Sequence, residues 1–366
     1  MTLGRNPHEP RFRPGLERRK RQFVRRGIAR EDVEAVFGRL ATLDPGPWVA
    51  AWTALAEPYE ARAAAAEREG RFEEARRLYE RARAYYTAAR FPVTDAPEKR
   101  QAYRKVVETF LKAARYADPP VERVAVPFPG HGEIVGYLRK PPGVARPPLV
   151  IETGGVDVYK EERDTGMYLE AGLATFAVDM PGAGESPVRY TPDGHRLYSA
   201  LLDYFATRPD LDSRRIALVG RSYGGYWGAT MAYREPERLA AAVQWGGPVH
   251  HGFQVEWLER RKADTLYLWD VLDSLMYAHG VTSFEALCEV SPRHSLETLG
   301  LLDRPSAPLL VIGGVTDGWF PLDDLYIHLQ HGAPKAARVY PEHEHMGGPD
   351  AADHVVRWLV RELARP

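Results

Sequence analysis

The strongest constraint on the fold is a change of texture at Val121. Beyond it, short apolar runs separated by turn residues alternate with stretches of helical spacing. A chain that alternates in this way builds a sheet whose faces are covered by helices, an α/β fold. The runs predict strands over 121–128, 134–139, 149–152, 174–179, 216–219, 241–245, 309–313 and 337–340. Helices fit between them at 197–206, 223–234, 322–330 and 351–362. The interval 248–305 is too long for a simple strand connection and carries helical patterning around Trp257, Leu266, Trp269 and Leu275. It reads as a helical lid inserted late in the sheet.

The first 118 residues show no strand-like alternation. Apolar positions such as Val33, Val36, Phe37 and Leu40, and later Val106, Val107, Phe110 and Leu111, recur at helical spacing. Breaks at Asp44-Pro45-Gly46-Pro47, at Gly70, from Phe91-Pro92 to Pro97 and at Asp118-Pro119-Pro120 predict four helical segments. The stretch 66–89, turning at Gly70, resembles one helical-hairpin repeat. A single copy makes no solenoid, because such repeats bury their faces only in stacks of about three. Residues 1–118 are therefore expected to be a helical cap or docking domain, with tyrosine-rich faces that four helices alone would bury poorly. The catalytic domain would then be 119–366, with the lid near 248–305.

With 366 residues, 44% hydrophobic and 11% aromatic, the chain has ample material for a core. Intrinsic disorder is excluded. No run approaches the ~20 apolar residues of a membrane span, and the polar start of the chain has no signal-peptide centre, so the expected location is the cytoplasm. Cys288 is the only cysteine, which excludes internal disulfides and cysteine-based zinc modules. Residues 1–30 hold ten Arg or Lys against Glu9 and Glu17, within a chain whose net charge is −1. No aromatic interleaving accompanies this basic stretch, so nucleic acid is not expected as a partner. A solvated helix face, or a contact with an acidic surface of the same chain or of a second copy in a homodimer, accounts for it.

The chemistry is concentrated at Gly220-Arg221-Ser222-Tyr223-Gly224, which follows an apolar strand and precedes a helix-compatible segment. G-x-S-x-G carries weight in this strand–turn–helix context, because the serine must project from a sharp turn into open space. Small residues at Gly220 and Gly224 let the turn close. The backbone N–H of Tyr223 is then aimed at the oxygen that becomes negative during attack on a carbonyl.

A serine nucleophile needs a base, and the base an orienting carboxylate. After the strand at 309–313, Gly314-Val315-Thr316-Asp317-Gly318 places Asp317 on a loop at the strand's C-terminal edge; Asp323 and Asp324 fall in the next helix and are expected to face solvent. After the last strand comes Pro341-Glu342-His343-Glu344-His345, where His345 is far enough along the loop to turn back toward the serine. His343 is the competing base. The H-x-H pair also admits a metal reading, but no third ligand stands near it at metal-like spacing, so neither a metal nor another cofactor is expected.

The second oxyanion donor is expected from the loop after the third strand, Glu152-Thr153-Gly154-Gly155-Val156-Asp157, at Gly155 or the neighbouring Val156. Glu152 is unusual as a carboxylate ending an apolar strand. It is either a polar strand end bonded to nearby backbone, or a residue that polarises the substrate pocket. In the lid, Glu256 and Trp257 are further candidates for substrate contact, and Tyr267 and Trp269 add aromatic surface.

These residues resemble the α/β-hydrolase superfamily from about Val121 to the C-terminal end. Asp179-Met180-Pro181-Gly182-Ala183-Gly184-Glu185-Ser186 is similar to that superfamily's D-x-P-G-x-G-x-S turn. Arg81-Ala82-Arg83-Ala84-Tyr85-Tyr86, ending at Phe91-Pro92, together with Ile151-Glu152-Thr153-Gly154-Gly155 and Lys160-Glu161-Glu162, narrows the resemblance to the FrsA-like esterase group. That group includes 2,6-dihydroxypseudooxynicotine hydrolase and fungal polyketide-shortening hydrolases. The resemblance implies a helical N-terminal domain on a hydrolase core and a small-molecule substrate, and it favours cleavage of a C–C bond next to a ketone over cleavage of an ester. A carboxylesterase is the alternative of the same class. A non-catalytic scaffold on a hydrolase core is the alternative of another class, and the retention of Ser222, Asp317 and His345 in register speaks against it.

Overall fold

The computed structural model describes residues 4–263, 269, 271–331 and 335–365. The chain divides into two compact units, Met1–Val121 with Arg260–Tyr277, and Glu122–Glu259 with Ala278–Pro366. A stretch inside the interval read as a lid is thus grouped with the helical unit. No helix is long and apolar enough to cross a membrane, among the described residues.

The helical unit contains α1 (Arg13–Arg25), α2 (Arg30–Arg39), α3 (Pro45–Arg68), α4 (Phe72–Arg90) and α5 (Pro97–Ala114). Five helices replace the four expected, because the chain also breaks between α1 and α2. Gly27 there has φ +92°, a left-handed conformation that ends a helix at little cost only for glycine. The hairpin turning at Gly70 is formed by α3 and α4, where Ala63, Ala66 and Ala75 are fully buried beside Tyr79. Such small side chains let two helices approach closely.

An aromatic core fills the rest of the unit. Phe23 packs edge-on against Trp52 and Phe91 at ring separations of 5.3 and 5.7 Å, and Trp48 meets Trp269 at 4.8 Å. Each such ring removes about 150–250 Å² from water, roughly 4–6 kcal/mol of gross transfer free energy before the entropy of ordering is subtracted. Trp269, expected to offer aromatic surface in the lid, is packed instead into this core. Tyr267 and Leu266 lie outside the described residues. Part of the basic stretch is absorbed locally: Lys20 pairs with Glu34 at 2.7 Å and Glu17 at 3.3 Å, and the buried Arg19 guanidinium lies 3.9 Å over the Phe91 ring.

The second unit is built on an eight-stranded sheet in the order β1-β2-β4-β3-β5-β6-β7-β8. Its strands are β1 (Val121–Phe128), β2 (Gly132–Arg139), β3 (Leu149–Thr153), β4 (Ala174–Val178), β5 (Ile216–Arg221), β6 (Ala241–Trp245), β7 (Leu309–Gly314) and β8 (Lys335–Tyr340). β2 runs antiparallel to β4, and the pairings from β4 through β8 are parallel. Every residue of β3, β4, β6 and β7 is buried, which is why these strands read as continuous apolar runs rather than alternating ones. The remaining helices are α6 (Gly166–Glu170), α7 (His195–Ala206), α8 (Gly225–Arg234), α9 (Val255–Arg261), α10 (Val271–His279), α11 (Phe284–Val290), α12 (Asp323–Tyr326) and α13 (Ala351–Leu363). Val355, Trp358 and Leu359 of α13 join Val150, Ala217, Val243, Leu310 and Ile312 in one apolar cluster on the sheet.

One expectation is overturned next to the site. The helix over 322–330 is a single α turn, α12, followed by a 3-10 turn at Ile327–Gln330, and this geometry points Asp324 inward. Asp323 is exposed, but Asp324 is only 1% exposed and accepts the backbone N–H groups of His250, His251 and Gly252, each at 2.8 Å. Burial pushes its pKa up and the three donors pull it down. The carboxylate fixes the start of the long segment that leaves β6, so the His250-His251 pair is anchored through its backbone.

Candidate active site

β5 delivers Ser222 into the turn and α8 leads away from it. The expected helix start at 223 is instead a 3-10 turn, Ser222–Gly224, with α8 beginning at Gly225. Ser222 has φ +56°, a strained conformation for a residue with a Cβ. The turn is possible because its flanks are glycine: a Cβ at Gly220 would run into the Gly224 carbonyl, and one at Gly224 into the Gly154 carbonyl. The serine is thereby lifted out of the sheet while the backbone packs beneath it.

Asp317 lies on the loop after β7 and His345 on the loop after β8, at the same edge of the sheet. His345 Nδ1 is 2.7 Å from Asp317 Oδ2, and His345 Nε2 is 2.8 Å from Ser222 Oγ. A carboxylate only accepts, so Nδ1 carries the proton and Nε2 is free to accept from the serine hydroxyl. The other carboxylate oxygen, Asp317 Oδ1, accepts from the backbone N–H of Trp319 at 2.7 Å and of Phe320 at 3.3 Å. Phe320 and Trp319 then place their rings 5.5 and 6.5 Å from the imidazole. His343 stands apart from this chain: it is exposed, its ring faces Tyr340 at 5.8 Å, and its carbonyl holds Thr316 N–H at 3.1 Å.

Gly155 lies against Ser222. A methyl group at its Cα would sit 3.1 Å from Ser222 Oγ and 3.6 Å from the Tyr223 nitrogen. The two expected oxyanion donors are therefore neighbours beside the serine, with Val156 next along the loop. Glu152 is fully buried below them and hydrogen-bonds a side chain rather than backbone: Arg221 Nη1 donates to its Oε1 at 3.1 Å. In α9, Glu256 is exposed, and the Trp257 indole donates to the Trp319 carbonyl at 3.3 Å, on the loop that carries Asp317.

Two features were beyond the sequence. The stretches around Lys160 and Asp179, on the loops after two different strands, meet in a largely enclosed ionic cluster. Lys160 Nζ lies 2.8 Å from Glu161, 2.9 Å from Asp179 and 2.7 Å from Glu185. Burial pushes the Glu161 carboxyl up, and Tyr137 donates its hydroxyl to it at 3.0 Å. The cluster ties the loop after β3 to the loop after β4. The second feature is a knot of Tyr190, Tyr223, His279 and His294, in which Tyr223 Oη and His279 Nε2 are 2.8 Å apart. Burial drives His279 well below its ordinary pKa and His294 to about 4, so both rings are neutral at neutral pH. Single residues scattered over 190–294 leave no local signature of such a knot. Among the described residues, no group of three or more His, Cys, Asp or Glu side chains is gathered as metal ligands would be.

A mostly parallel sheet flanked by helices, with a serine lifted on the turn after β5, is the architecture of an α/β-hydrolase. The chain belongs to the FrsA-like esterase family (Esterase FrsA-like), which matches residues 28–363. It is 26% identical to Esterase FrsA of Photobacterium profundum over 373 residues, covering 94% of this chain and 87% of the relative. It is 30% identical to 2,6-dihydropseudooxynicotine hydrolase of Paenarthrobacter nicotinovorans over 279 residues, covering 74% of this chain and 71% of the relative. The crystal structure of the 2,6-dihydroxy-pseudo-oxynicotine hydrolase superposes with a TM-score of 0.79 at 26% identity, covering 94% of this chain and 95% of that one. The protein is accordingly an enzyme, a hydrolase.

Proposed function

We propose that the protein is a serine hydrolase that cleaves a C–C bond next to a ketone in an aromatic or polyketide-like small molecule. The observation that carries the catalytic part is the unbroken hydrogen-bonded chain from Ser222 through His345 to Asp317. Ser222 Oγ attacks the carbonyl carbon as its proton passes to His345 Nε2, and Asp317 holds the imidazole in the required tautomer and supports its positive charge. The oxygen that turns negative is received by the N–H groups of Tyr223 and Gly155. Collapse of this intermediate breaks the C–C bond, the proton on His345 goes to the departing carbon, and water then frees the acyl group by the same base. An ester would follow the same path with an alkoxide as leaving group.

The choice between bonds rests on the likeness to a C–C hydrolase homologue at 30% identity, together with the physical demand that a carbanion be delocalised before it leaves. A carboxylesterase is the second reading, supported by the esterase relative that aligns over 94% of the chain. The expected result is turnover of β-diketones or acylphenols with both product halves seen by mass spectrometry, and little turnover of simple short-chain esters. Fast hydrolysis across short-chain esters, with no cleavage of the diketones, would replace the C–C reading by the carboxylesterase.

A further inference from the structure

Ser222 and Met346, the residue after His345, are the two non-glycine residues with positive φ among the described residues, at +56° and +74°. Strained backbone of this kind persists only where the surroundings over-determine it. A connected set of side chains, the buried Glu152 and Trp245 and the half-buried Arg221, reaches both positions. Glu152 on β3 pairs across the sheet with Val219 on β5, and its Oε1 accepts from Arg221, the residue before the nucleophile. Arg221 pairs with Trp245 on β6, and its guanidinium lies 4.4 Å over the Trp245 ring. The Trp245 indole N–H donates to the Met346 carbonyl at 2.7 Å. Glu152 also balances Arg163, a buried guanidinium that occupies the space where a Cβ at Gly154 would be and donates to the Val158 carbonyl at 2.9 Å. Three segments of the site, the loop after β3, the nucleophile turn and the histidine loop, are thus joined from below by Glu152, Arg221 and Trp245.

We propose that Glu152, Arg221 and Trp245 form a positioning bracket that sets Ser222 and His345 at proton-transfer distance and fixes the charge felt by the imidazole from beneath. In this role all three act through Ser222 and His345 rather than on the substrate itself. The bracket rests on the reading of Ser222, His345 and Asp317 as the reacting groups. It also gives Glu152 a role other than the two weighed from sequence, a strand end bonded to nearby backbone or a residue polarising the pocket, since its carboxylate is enclosed by protein and accepts from Arg221.

The charged groups near His345 make the electrostatic part testable. Asp317 faces the imidazole from the loop after β7, while Glu342, His343 and Glu344 of its own loop are exposed. The aromatic rings of Trp319 and Phe320 and the backbone at Gly246 complete its surroundings. Glu152 and Arg221 are the opposed charges on the Trp245 side of the site. Glu152→Gln removes the carboxylate paired with Arg221 and leaves Arg163 with only Asp179 and Asp157 to balance it, which disfavours the imidazolium, so the acid limb of reactivity moves to lower pH. Arg221→Met leaves the Glu152 charge in excess and moves it to higher pH. Each shift is expected to be about 0.5–1 pH unit, the scale of one unit charge acting through a weakly screening protein interior.

The test is the rate of Ser222 modification by a fluorophosphonate between pH 5 and 9, with melting temperatures recorded in parallel. Wild type is compared with Glu152→Gln, Arg221→Met, Arg221→Lys and Trp245→Phe. Trp245→Phe keeps a ring under Arg221 but removes the donor to Met346, and its modification rate is expected to fall about 10–100-fold, with the acid limb unmoved. Arg221→Lys restores the wild-type acid limb. Folded variants that react at the wild-type rate with the wild-type acid limb would overturn the bracket, as would Glu152→Gln and Arg221→Met shifting in the same direction. If wild type itself is not modified at Ser222, the triad reading fails and the bracket falls with it.

Discussion

His345→Ala is expected to lower kcat/KM by about 10⁴–10⁶-fold, and Ser222→Ala by a similar factor, because the two act as one proton-transfer unit. Their losses should not add: the double variant is expected to be little worse than either single one. Oxyanion donors and binding would leave a residual rate above that in water. His343→Ala, two residues away, is expected to stay within about twofold of wild type, since His343 lies exposed against Tyr340 and outside the hydrogen-bonded chain. Ser222→Ala removes one small polar group from a turn whose shape is set by its glycines, so the melting temperature should move by no more than a few degrees. Steady-state kinetics on the four proteins checks this. A dead His343→Ala beside an active His345→Ala would reverse the assignment of the base.

Asp317→Asn is expected to cost about 10³–10⁴-fold in kcat with little change in KM. The reason lies in the loop that holds it. Oδ1 accepts two backbone N–H groups, from Trp319 and Phe320, so the oxygen of an asparagine stays in that position. Its amide N–H₂ must then face His345 Nδ1, donate to it, and place the imidazole proton on Nε2, where it opposes the serine hydroxyl. Asp317→Ala also frees the loop and should be at least as damaging, with a larger effect on KM. A mild Asp317→Asn variant would show that the carboxylate orients nothing essential.

The sheet was legible because strands buried on both faces leave unbroken apolar runs, and because each strand of the second unit is followed by turn residues. The turn that carries Ser222 was legible for the same kind of reason: Gly220, Gly224 and the strand–helix context are local requirements of one sharp turn. Choosing His345 over His343 drew on loop length alone, and the geometry that separates them is a contact with residues 28 and 123 positions away. What sequence could not supply is long-range pairing. Asp324 looked like one of two exposed acids at a helix start, yet its first turn aims it at three backbone donors of a loop more than 70 residues earlier. Trp269 looked like lid surface, but its ring is needed between Trp48 and Phe91. Glu152 was recognised as odd, whereas its partner, Arg221, is defined only by the pairing of β3 with β5.

The most direct measurement is the site and pH dependence of covalent modification by a fluorophosphonate, read as an intact-mass shift and mapped by peptide sequencing. One adduct per chain is expected, on Ser222, forming faster as the pH rises and absent in Ser222→Ala and His345→Ala. A folded protein that takes up no adduct, or carries it on another residue, would contradict the assignment of Ser222, His345 and Asp317 as the reacting groups.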